Sequence, residues 1–515
     1  MQRINILLIL LIALMTFSCG EKEEQKPNII VFLVDDMGWQ DTSVPFWTSR
    51  TPFNDRYKTP GMERLASQGM KFTQAYATPV CSPTRVSLIT GMNAARHRVT
   101  NWTLRFNASN DRRHDSLDFP AWNVNGLSPE SNIERTVYAT PLPQLLKEAG
   151  YFTIHSGKAH FGAISTPGEN PSTLGFDINI AGHAAGAPQS YYGTKNFGNL
   201  PGNENSPWPV PGLEKYHGQD IFLTEALTLE ANLAIDSALN TDKPFFLYMA
   251  HYAVHTPIQQ DDRFFEKYLQ QGLDTIEARY ASMVEGMDKS LGDIMDHIEK
   301  RGVSDNTIIL FMSDNGGLSA GARGGERHTH NKPLSSGKGS AHEGGIREPM
   351  LVKWPGTVTP GSINDQYLII EDFFPTILEM AEIQNYNTVQ TVDGQSFVPF
   401  LKDATATAGE RPLIWHFPNQ WGLTGPGIGT LSAIRKGDWK LIYYHATGSF
   451  ELFNITDDIG ETTNLVDQEP EKVRELAKVL SDHLRDVEAQ MPTYKSSGEV
   501  VPWPDEVIAG AISAL

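Results

Sequence analysis

The chain has 515 residues, a formal net charge of −19 at pH 7 and only two cysteines, Cys19 and Cys81. Its length allows more than one domain, and its many glycines and prolines suit a loop-rich enzyme rather than a coiled coil or a disordered chain. The acidic balance argues against nucleic acid as a partner, because phosphate binding needs a basic face, and two cysteines do not build a disulfide scaffold.

The amino-terminal segment has the pattern of a bacterial export signal. Residues 1–18 combine a basic start with an apolar run that is shorter than the roughly 20 residues a membrane-spanning helix needs. Ser18 before Cys19 resembles a lipoprotein processing site, and residues 19–26 form a charged tether. We therefore expect cleavage before Cys19, lipidation of Cys19 and an outer-membrane lipid anchor, in the periplasm or on the cell surface of a Gram-negative bacterium. The alternative is an ordinary secretory signal with an unmodified cysteine.

Four apolar, β-branched segments are predicted to be buried parallel strands, and each is followed by polar residues. The segments begin at residues 28, 151, 244 and 307. In an open α/β sheet, ligands bind beyond the carboxyl ends of the parallel strands, so we expect these polar residues to meet at one edge. In chain order, they are Asp35 and Asp36, Lys158 and His160, His251 and His255, and Asp314 and Asn315.

Two of these strand ends are predicted to hold a metal ion. Asp35, Asp36, Asp314 and Asn315 offer only oxygen ligands, which suit calcium or magnesium better than zinc. A single Asp at a strand end is more often a helix cap or a turn residue. Two such pairs at matching strand ends favour a metal site, and we expect one calcium ion.

The segments between the strands look helical. Examples are residues 60–69 and 274–298, and the second places apolar residues at helical spacing with charges elsewhere. Because strand and helix alternate, the sequence predicts an α/β fold with a mostly parallel sheet.

Cys81 opens the run Cys-Ser-Pro-Thr-Arg-Val-Ser-Leu-Ile-Thr-Gly. Pro83 can take the first turn of a helix and Gly91 can end it, so we expect Cys81 just before a helix amino terminus. Backbone N–H groups there attract anions, and Arg85 adds a permanent bidentate donor. The alternative is that Cys81 only packs in the core, since free cysteine is often buried. The flanking Pro83 and Arg85 have no role in packing a thiol, so the run favours a reactive group.

This run, from Cys81 through Arg85 to Thr90-Gly91, resembles the Cys-x-Pro-x-Arg-x-x-x-x-Thr-Gly signature of type I sulfatases, in which the cysteine is oxidised to formylglycine. The resemblance extends across nearly the whole mature chain. The other matching segments begin at Asp35, Gly157, His255, Ser313, Gly337, Trp354, Glu451 and Glu461.

The resemblance implies a fold with two parts. Residues 27–392 would form an alkaline-phosphatase-like three-layer α/β/α sandwich around a large, mostly parallel mixed sheet. Residues 393–515 would form a smaller C-terminal α+β domain with an antiparallel sheet.

The resemblance also implies a reaction, the hydrolysis of sulfate esters. A maturation enzyme would convert Cys81 to formylglycine, and its hydrated aldehyde, activated by calcium, would attack sulfur. Lys158 and Lys338 would bind sulfate oxygens, and His255 and Lys338 would protonate the departing oxygen. The catalytic residues would be Cys81, Arg85, Lys158, His160, His255 and Lys338, with Arg85 stabilising the nucleophile and His160 deprotonating the second hydroxyl. The metal ligands would be Asp35, Asp36, Cys81, Asp314 and Asn315.

Substrate choice is expected to come from loops around the sulfate pocket. Tryptophan against a sugar face, with arginine or histidine on hydroxyls or on a second sulfate, would suit a carbohydrate. For each candidate, the alternative is a residue that only supports the fold. The candidates are Trp102, Arg105, His183, His328, His330, Trp415 and His416.

The overall pattern resembles bacterial polysaccharide sulfatases, and we expect exo action on a galactose-type sulfated glycan. One rival is a phosphonate or phosphodiester hydrolase of the same superfamily, which can share the cysteine signature. The other is a non-catalytic surface glycan-binding lipoprotein in which Cys81 is never converted.

Overall fold

The computed structural model describes residues 26–513, with side chains described through residue 510. The predicted signal of residues 1–18, its cleavage site and the lipidation of Cys19 lie outside these residues, as does most of the tether 19–26. Among the helices described, none combines the length and apolar character needed to cross a membrane.

Strands and helices alternate along most of the chain, and the four predicted strands are confirmed as β1, β6, β8 and β9. The strands are β1 (Asn28–Val34), β2 (Met70–Tyr76), β3 (Leu117–Asp118), β4 (Leu127–Ser128), β5 (Val137–Tyr138), β6 (Phe152–Gly157), β7 (Ile178–Ile180), β8 (Phe245–Ala250), β9 (Thr307–Ser313), β10 (Arg347–Lys353), β11 (Ser362–Asn364), β12 (Leu368–Ile369), β13 (Leu413–Phe417), β14 (Leu431–Lys436), β15 (Trp439–Tyr444), β16 (Ser449–Asn454) and β17 (Thr493–Tyr494).

The two segments predicted to be helical are confirmed as α2 and α8. The α-helices are α1 (Pro52–Arg56), α2 (Pro60–Gln68), α3 (Cys81–Thr90), α4 (Ala94–His97), α5 (Leu142–Glu148), α6 (Leu223–Leu239), α7 (Phe265–Gln270), α8 (Thr275–Lys300), α9 (Glu343–Ile346), α10 (Phe373–Met380), α11 (Val398–Lys402), α12 (Pro470–Asp486) and α13 (Pro504–Ser513). Short 3-10 segments lie at Pro167–Glu169, Pro171–Leu174, Gly193–Gly198, Glu214–Tyr216, Ser304–Asn306 and Ile370–Asp372.

The large sheet has the order β11-β2-β10-β9-β1-β8-β6-β7, with β12 paired to β2. The four predicted strands are adjacent and parallel, and their ends are level, since Leu33 lies beside both Ala250 and Met312. Strand β10 runs antiparallel to β9 and β2, which makes the sheet mixed. This direction brings the chain that precedes β10, and the chain that follows β2, to the same edge as the four strand ends.

Both faces of the sheet are covered, which confirms the three-layer arrangement. Side chains of β1 alternate, so that Val31 and Leu33 belong to one core and Ile30 and Phe32 to the other. Helices α3, α5 and α10 contribute to the first core. Helices α2, α6 and α8 contribute to the second.

A separate antiparallel sheet with the order β13-β14-β15-β16 lies in the C-terminal region, as the sequence predicts. Helix α12 covers it with an apolar stripe at helical spacing, formed by Leu476, Leu480 and Leu484. The boundary at residue 392 between the two parts stays a prediction.

Candidate active site

The backbone turns sharply where the strands end, and the residue types present suit those turns. Asp36 and His160 adopt left-handed backbone with φ of 62° and 56°, which Asp and His tolerate better than most residues. Gly157 has φ of 102°, and a Cβ there would lie 1.9 Å from the carbonyl oxygen of Ala250. Only glycine fits at that position, and the turn directs Lys158 into the site.

A buried network of ion pairs joins three of the strand ends to α3. The Nζ of Lys158 lies 2.7 Å from Oδ2 of Asp35, and both side chains are fully buried. Arg85 donates from Nε and Nη2 to Oδ2 of Asp314 at 2.9 and 2.8 Å, and from Nη1 to the carbonyl of Lys158 at 2.9 Å. The network fixes the predicted residues of β1, β6, β9 and α3 in one cluster.

Asp36 is the centre of a second group of contacts. Its Oδ1 lies 2.6 Å from Nζ of Lys338 and accepts a hydrogen bond from Nδ2 of Asn315 at 2.8 Å. Its Oδ2 lies 3.5 Å from Nε2 of His255. Lys338 precedes β10 in the chain, so the antiparallel direction of β10 explains how it reaches this edge.

The two adjacent aspartates differ in electrostatic environment. Burial raises the pKa of Asp35 well above its ordinary value, and the nearby Asp314 adds to this increase against the opposing effect of Lys158. Burial also opposes the charged form of Asp36, but the cations Lys338 and Lys158, with His255, lower the pKa of Asp36 to about 2. Several carboxylates thus share a buried space in which mutual repulsion is only partly balanced.

The donor atoms of this cluster fit a hard cation. Asp35 Oδ1, Asp36 Oδ2 and Asn315 Oδ1 are buried and have no hydrogen-bond partner among the described residues. Asp35, Asp36 and His255 each present a ligand atom within 4.8 Å of the others. Buried oxygens without partners are costly. Because a calcium ion prefers such carboxylate and amide oxygens, these residues fit one.

The sequence predicted Cys81 just before a helix, whereas in the structure Cys81 is the first residue of α3. The helix ends at Thr90, and Gly91, the residue predicted to end it, has left-handed backbone with φ of 69°. Cys81 is 3% exposed, and burial raises the pKa of its thiol despite the opposing influence of Lys158 and Lys338. An unmodified thiol at this position is therefore poorly disposed to act as a thiolate nucleophile.

His160 and His255 each bind a backbone carbonyl through one ring nitrogen. Nε2 of His160 donates to the carbonyl of Thr103 at 2.9 Å, which leaves Nδ1 without a partner among the described residues. Nδ1 of His255 donates to the carbonyl of Thr256 at 2.9 Å, which leaves Nε2 toward Asp36. Burial, together with neighbouring cations, lowers the pKa of His160 and brings that of His255 to about 3. Each ring therefore keeps one nitrogen available for proton transfer.

Four of the polar side chains described above line a cavity of about 690 Å³. They are Cys81, His160, His255 and Lys338, and we call them its polar end. The rest of its lining is formed mainly by aromatic, aliphatic and small residues. They are Trp102, Gly186, Ala187, Pro188, Trp208, Thr256, Pro257, Leu318, Ser319, Ala320, Gly321, Ala322, Trp421 and Leu423.

Of the residues predicted to contact substrate, Trp102 is in this lining and two others are misplaced. Trp415 and His416 lie within β13 and are both 1% exposed. Trp415 donates from Nε1 to the carbonyl of Ala77, and His416 binds Ser432 Oγ and the carbonyl of Gln490. The prediction that they contact substrate is wrong, because the strand that carries them is buried on both faces.

The remaining candidates do not line the cavity. His183 is half-buried, and its carbonyl accepts from the backbone N–H of His160 at 3.2 Å. His330 binds Ser319 Oγ from behind the cavity wall at 3.1 Å, and His328 packs beside Gly425. Arg105 is exposed. These residues support or surround the wall rather than form it.

Two of the three tryptophans that line the cavity, Trp208 and Trp421, were not predicted. The ring of Trp208 lies 6.4 Å from that of Trp102, and the ring of Trp421 packs so closely on Gly339 that a Cβ there would lie 2.2 Å from it. Both tryptophans are on irregular segments far apart in the chain. The only available signal was an aromatic residue among prolines and glycines, which is too common to single out.

The polar end, the cavity and the fold together define a hydrolase of the alkaline phosphatase superfamily. Comparison with known protein families gives two matches. The family described as Sulfatase matches residues 27–383, and the family described as N-sulphoglucosamine sulphohydrolase, C-terminal, matches residues 337–490. The chain belongs to the sulfatase family and is a sulfatase.

Similar proteins include enzymes from distant organisms. A sulfatase of Formosa agariphila is 31% identical over 93% of this chain and 92% of its own length. The human N-acetylgalactosamine-6-sulfatase is 32% identical over 83% of this chain and 74% of its own length. Among solved structures, Ps i-CgsB in complex with k-i-k-neocarrahexaose is 26% identical, covers 95% of this chain and 98% of its own, and has a TM-score of 0.71.

Proposed function

We propose that this sulfatase removes sulfate from a sulfated carbohydrate through a formylglycine made from Cys81, with one calcium ion bound beside it. The observation that carries this proposal is the position of Cys81. Cys81 begins α3 at the polar end of the cavity, with Lys338 and His255. A cluster of carboxylate and amide oxygens without hydrogen-bond partners among the described residues lies beside it.

The burial of Cys81 supports its conversion before the chain folds. A side chain that is 3% exposed offers a maturation enzyme little access in the folded protein. The same burial raises the pKa of the thiol and disfavours the thiolate. Replacing the thiol by an aldehyde, which hydrates, supplies a hydroxyl nucleophile whose sulfate ester can break down again.

Each residue around position 81 has a role in this proposal. Asp35, Asp36, Asp314 and Asn315 would hold the calcium ion. When bound, the ion supplies positive charge that stabilises a deprotonated hydroxyl and a sulfate oxygen.

The cationic and imidazole groups would act on the substrate. Lys158 and Lys338 would bind sulfate oxygens as negative charge shifts onto them, and Arg85 would keep the nucleophilic residue and Asp314 in place. Lys338 and His255 line the cavity and are the candidates to protonate the departing oxygen, Lys338 as an ammonium and His255 after its Nε2 has taken up a proton. His160 keeps Nδ1 free for a proton and would take it from the second hydroxyl, so that carbon–oxygen cleavage releases sulfate and restores the aldehyde.

A galactose-type sulfated glycan, attacked from a chain end, is the proposed substrate. The names of two similar proteins support a carbohydrate, namely the N-acetylgalactosamine-6-sulfatase and the structure with a bound neocarrahexaose. A cavity of about 690 Å³ is in the range of small-molecule sites and suits a short saccharide end. The sequence of residues 1–26 supports export and lipidation at Cys19, which we retain as a proposal.

The test is release of inorganic sulfate from a panel of monosulfated galactosides and oligosaccharides, measured beside a phosphodiester and a phosphonate ester. The purified, matured protein is compared with its Cys81→Ala variant. We expect sulfate release that the variant lacks. Faster hydrolysis of the phosphorus esters would favour the phosphodiesterase alternative. An unmodified Cys81 thiol after native expression, together with glycan binding and no hydrolysis, would favour the binding-protein alternative.

A further inference from the structure

The residues that line the cavity fall into two groups: the polar end, which we call the floor, and the remaining lining, which we call the walls. The floor carries the groups that would act on the sulfate ester, while the walls carry three tryptophans, two prolines and two leucines. Apart from the indole N–H groups, Thr256 and Ser319 supply the polar side chains of the walls among the described residues. Of the described residues that line the cavity, Lys338 is the one with a permanent charge; it lies 2.6 Å from Asp36 and would bind the scissile sulfate.

The tryptophans are held so that part of each ring is accessible. Trp102, Trp208 and Trp421 are all half-buried. Trp102 and Trp208 meet at 6.4 Å with planes tilted by 38°, so that neither ring covers the face of the other. Trp421 packs on Gly339, directly after Lys338 in the chain. Aromatic surface is thus presented close to the group that would bind the sulfate.

The positions of the charged residues limit which further charged groups the bound sugar ring can carry. The cations of the site are already committed: Lys158 and Lys338 would bind oxygens of the scissile sulfate, and Arg85 is paired with Asp314. A second sulfate or a carboxylate on the same sugar ring would enter the walled part of the cavity, where no described lining residue offers a counter-ion. Transferring an unpaired anion from water into such surroundings is strongly unfavourable.

We infer that the ring bearing the scissile sulfate is an otherwise uncharged sugar, packed against these tryptophans, and that further anionic groups are accepted only on neighbouring rings outside the cavity. This inference rests on the proposed function and narrows its substrate class. It also replaces the sequence-based expectation of arginine or histidine on a second sulfate, because Arg105, His328 and His330 are not in the lining.

The decisive experiment compares matched galactoside substrates on the matured enzyme. The monosulfated galactoside that is hydrolysed fastest is set against the same glycoside with a second sulfate on that ring, and against a disaccharide with the second sulfate on the next ring. Release of inorganic sulfate gives kcat/KM for each. We expect a loss of about tenfold or more for the second sulfate on the same ring, and a much smaller loss when it is on the next ring.

Variants at two lining positions, Leu423 and Trp421, each with its own control variant, test the inference further. Leu423 lines the cavity and is 43% exposed, so Leu423→Arg adds a cation with little risk to folding and should recover part of the lost kcat/KM for the disulfated ring. Leu229→Arg on α6, 44% exposed and outside the cavity lining, is the matched control and should not. Trp421→Ala should raise KM for the monosulfated galactoside, and Trp421→Phe should restore most of the affinity.

Equal kcat/KM for the singly and doubly sulfated ring in the unaltered enzyme would overturn the inference, as would an unchanged KM in Trp421→Ala. Those outcomes leave sulfate release intact and so do not affect the proposed function. Failure to release sulfate from any ester, in protein fully converted at position 81, would remove the proposed function and this inference with it.

Discussion

Arg85 and Asp314 form a fully buried ion pair that ties α3 to the end of β9. Two guanidinium nitrogens of Arg85 donate to the same carboxylate oxygen at 2.9 and 2.8 Å, and a third reaches the carbonyl of Lys158. The pair therefore fixes Cys81, four residues before Arg85, relative to the carboxylates that fit a metal ion.

Replacing Arg85 by lysine should damage this arrangement although the charge is kept. A single ammonium cannot reproduce the planar fork that binds Asp314 and the Lys158 carbonyl together. We expect a loss of about 1–3 kcal/mol in the free energy of unfolding and a large fall in kcat. Urea unfolding and sulfate release measure the two effects. Arg50→Lys, at a side chain that is 48% exposed, is the control, and an Arg85→Lys protein as stable and active as that control would contradict the account.

Calcium removal should abolish turnover and lower thermal stability. The unpartnered oxygens of Asp35, Asp36 and Asn315 lose their proposed ligand, and the carboxylate repulsion at Asp35 returns. A ligand at 100 times its Kd stabilises a protein by about 2.7 kcal/mol, so Tm should rise on adding calcium to chelated protein. In Asp314→Ala, this rise should be small and turnover absent. Full activity of the unaltered enzyme in calcium-free buffer would refute the metal site.

Much of this site could be predicted from the sequence because most of its functional side chains directly follow strands. Asp35, Lys158, His255 and Asp314 follow apolar runs, and adjacent parallel strands bring such ends together. The prediction of Lys338 depended on the family resemblance, because nothing in the neighbouring sequence indicates that β10 runs antiparallel.

The cavity walls could not be predicted in the same way. Trp208 and Trp421 lie on irregular segments with no periodicity, and only the folded chain brings them beside Trp102. Trp415 and His416 are residue types that often contact sugars, but they lie in β13, where every residue is buried. Residue type therefore indicates chemistry, whereas the position of a loop in space decides which residue meets the substrate.

Glu371 should make the protein less stable as the pH rises. Its Oε2 has no partner among the described residues, and burial, with the neighbouring Asp372, raises its pKa from an ordinary 4.5 to about 8. Between these two pH values, the folded protein holds a proton that the unfolded chain has released. The contribution of Glu371 to the free energy of unfolding therefore falls by up to about 1.4 kcal/mol per pH unit across that window.

The Glu371→Gln variant tests this sign directly. Glutamine keeps an oxygen to accept the 2.8 Å hydrogen bond from Asn93 Nδ2 and cannot ionise. Measured by urea unfolding, the variant should gain stability relative to the unaltered protein as the pH is raised from 5 to 9. A difference between the two proteins that does not change with pH would contradict the assignment.

Lys440 should be essential for joining the C-terminal sheet to the catalytic part of the chain. Its fully buried ammonium lies 2.9 Å from Glu343 and 2.5 Å from Glu461, both also fully buried. Glu343 begins α9, five residues after Lys338. Lys440→Met removes the cation that Glu343 and Glu461 share and leaves Arg347, 3.1 Å from Glu343, as the nearby guanidinium. We expect a loss of about 3–5 kcal/mol in the free energy of unfolding.

The control for this prediction is Lys436→Met on the neighbouring strand. Lys436 pairs with Glu475 at the surface, and its loss should cost less than about 1 kcal/mol. Urea unfolding of both variants, followed by sulfate release from the folded fraction, tests the prediction. A Lys440→Met protein that unfolds at the same urea concentration as the control would show that the buried cation contributes little.

We propose that the residue encoded as Cys81 becomes an aldehyde that acts as the nucleophile. Mass spectrometry of the peptide containing position 81, from protein produced with its own maturation system, measures the converted fraction beside the rate of sulfate release. We expect an aldehyde in place of the thiol and turnover in proportion to the converted fraction. Protein that carries only an unmodified Cys81 and still releases sulfate at full rate would contradict it.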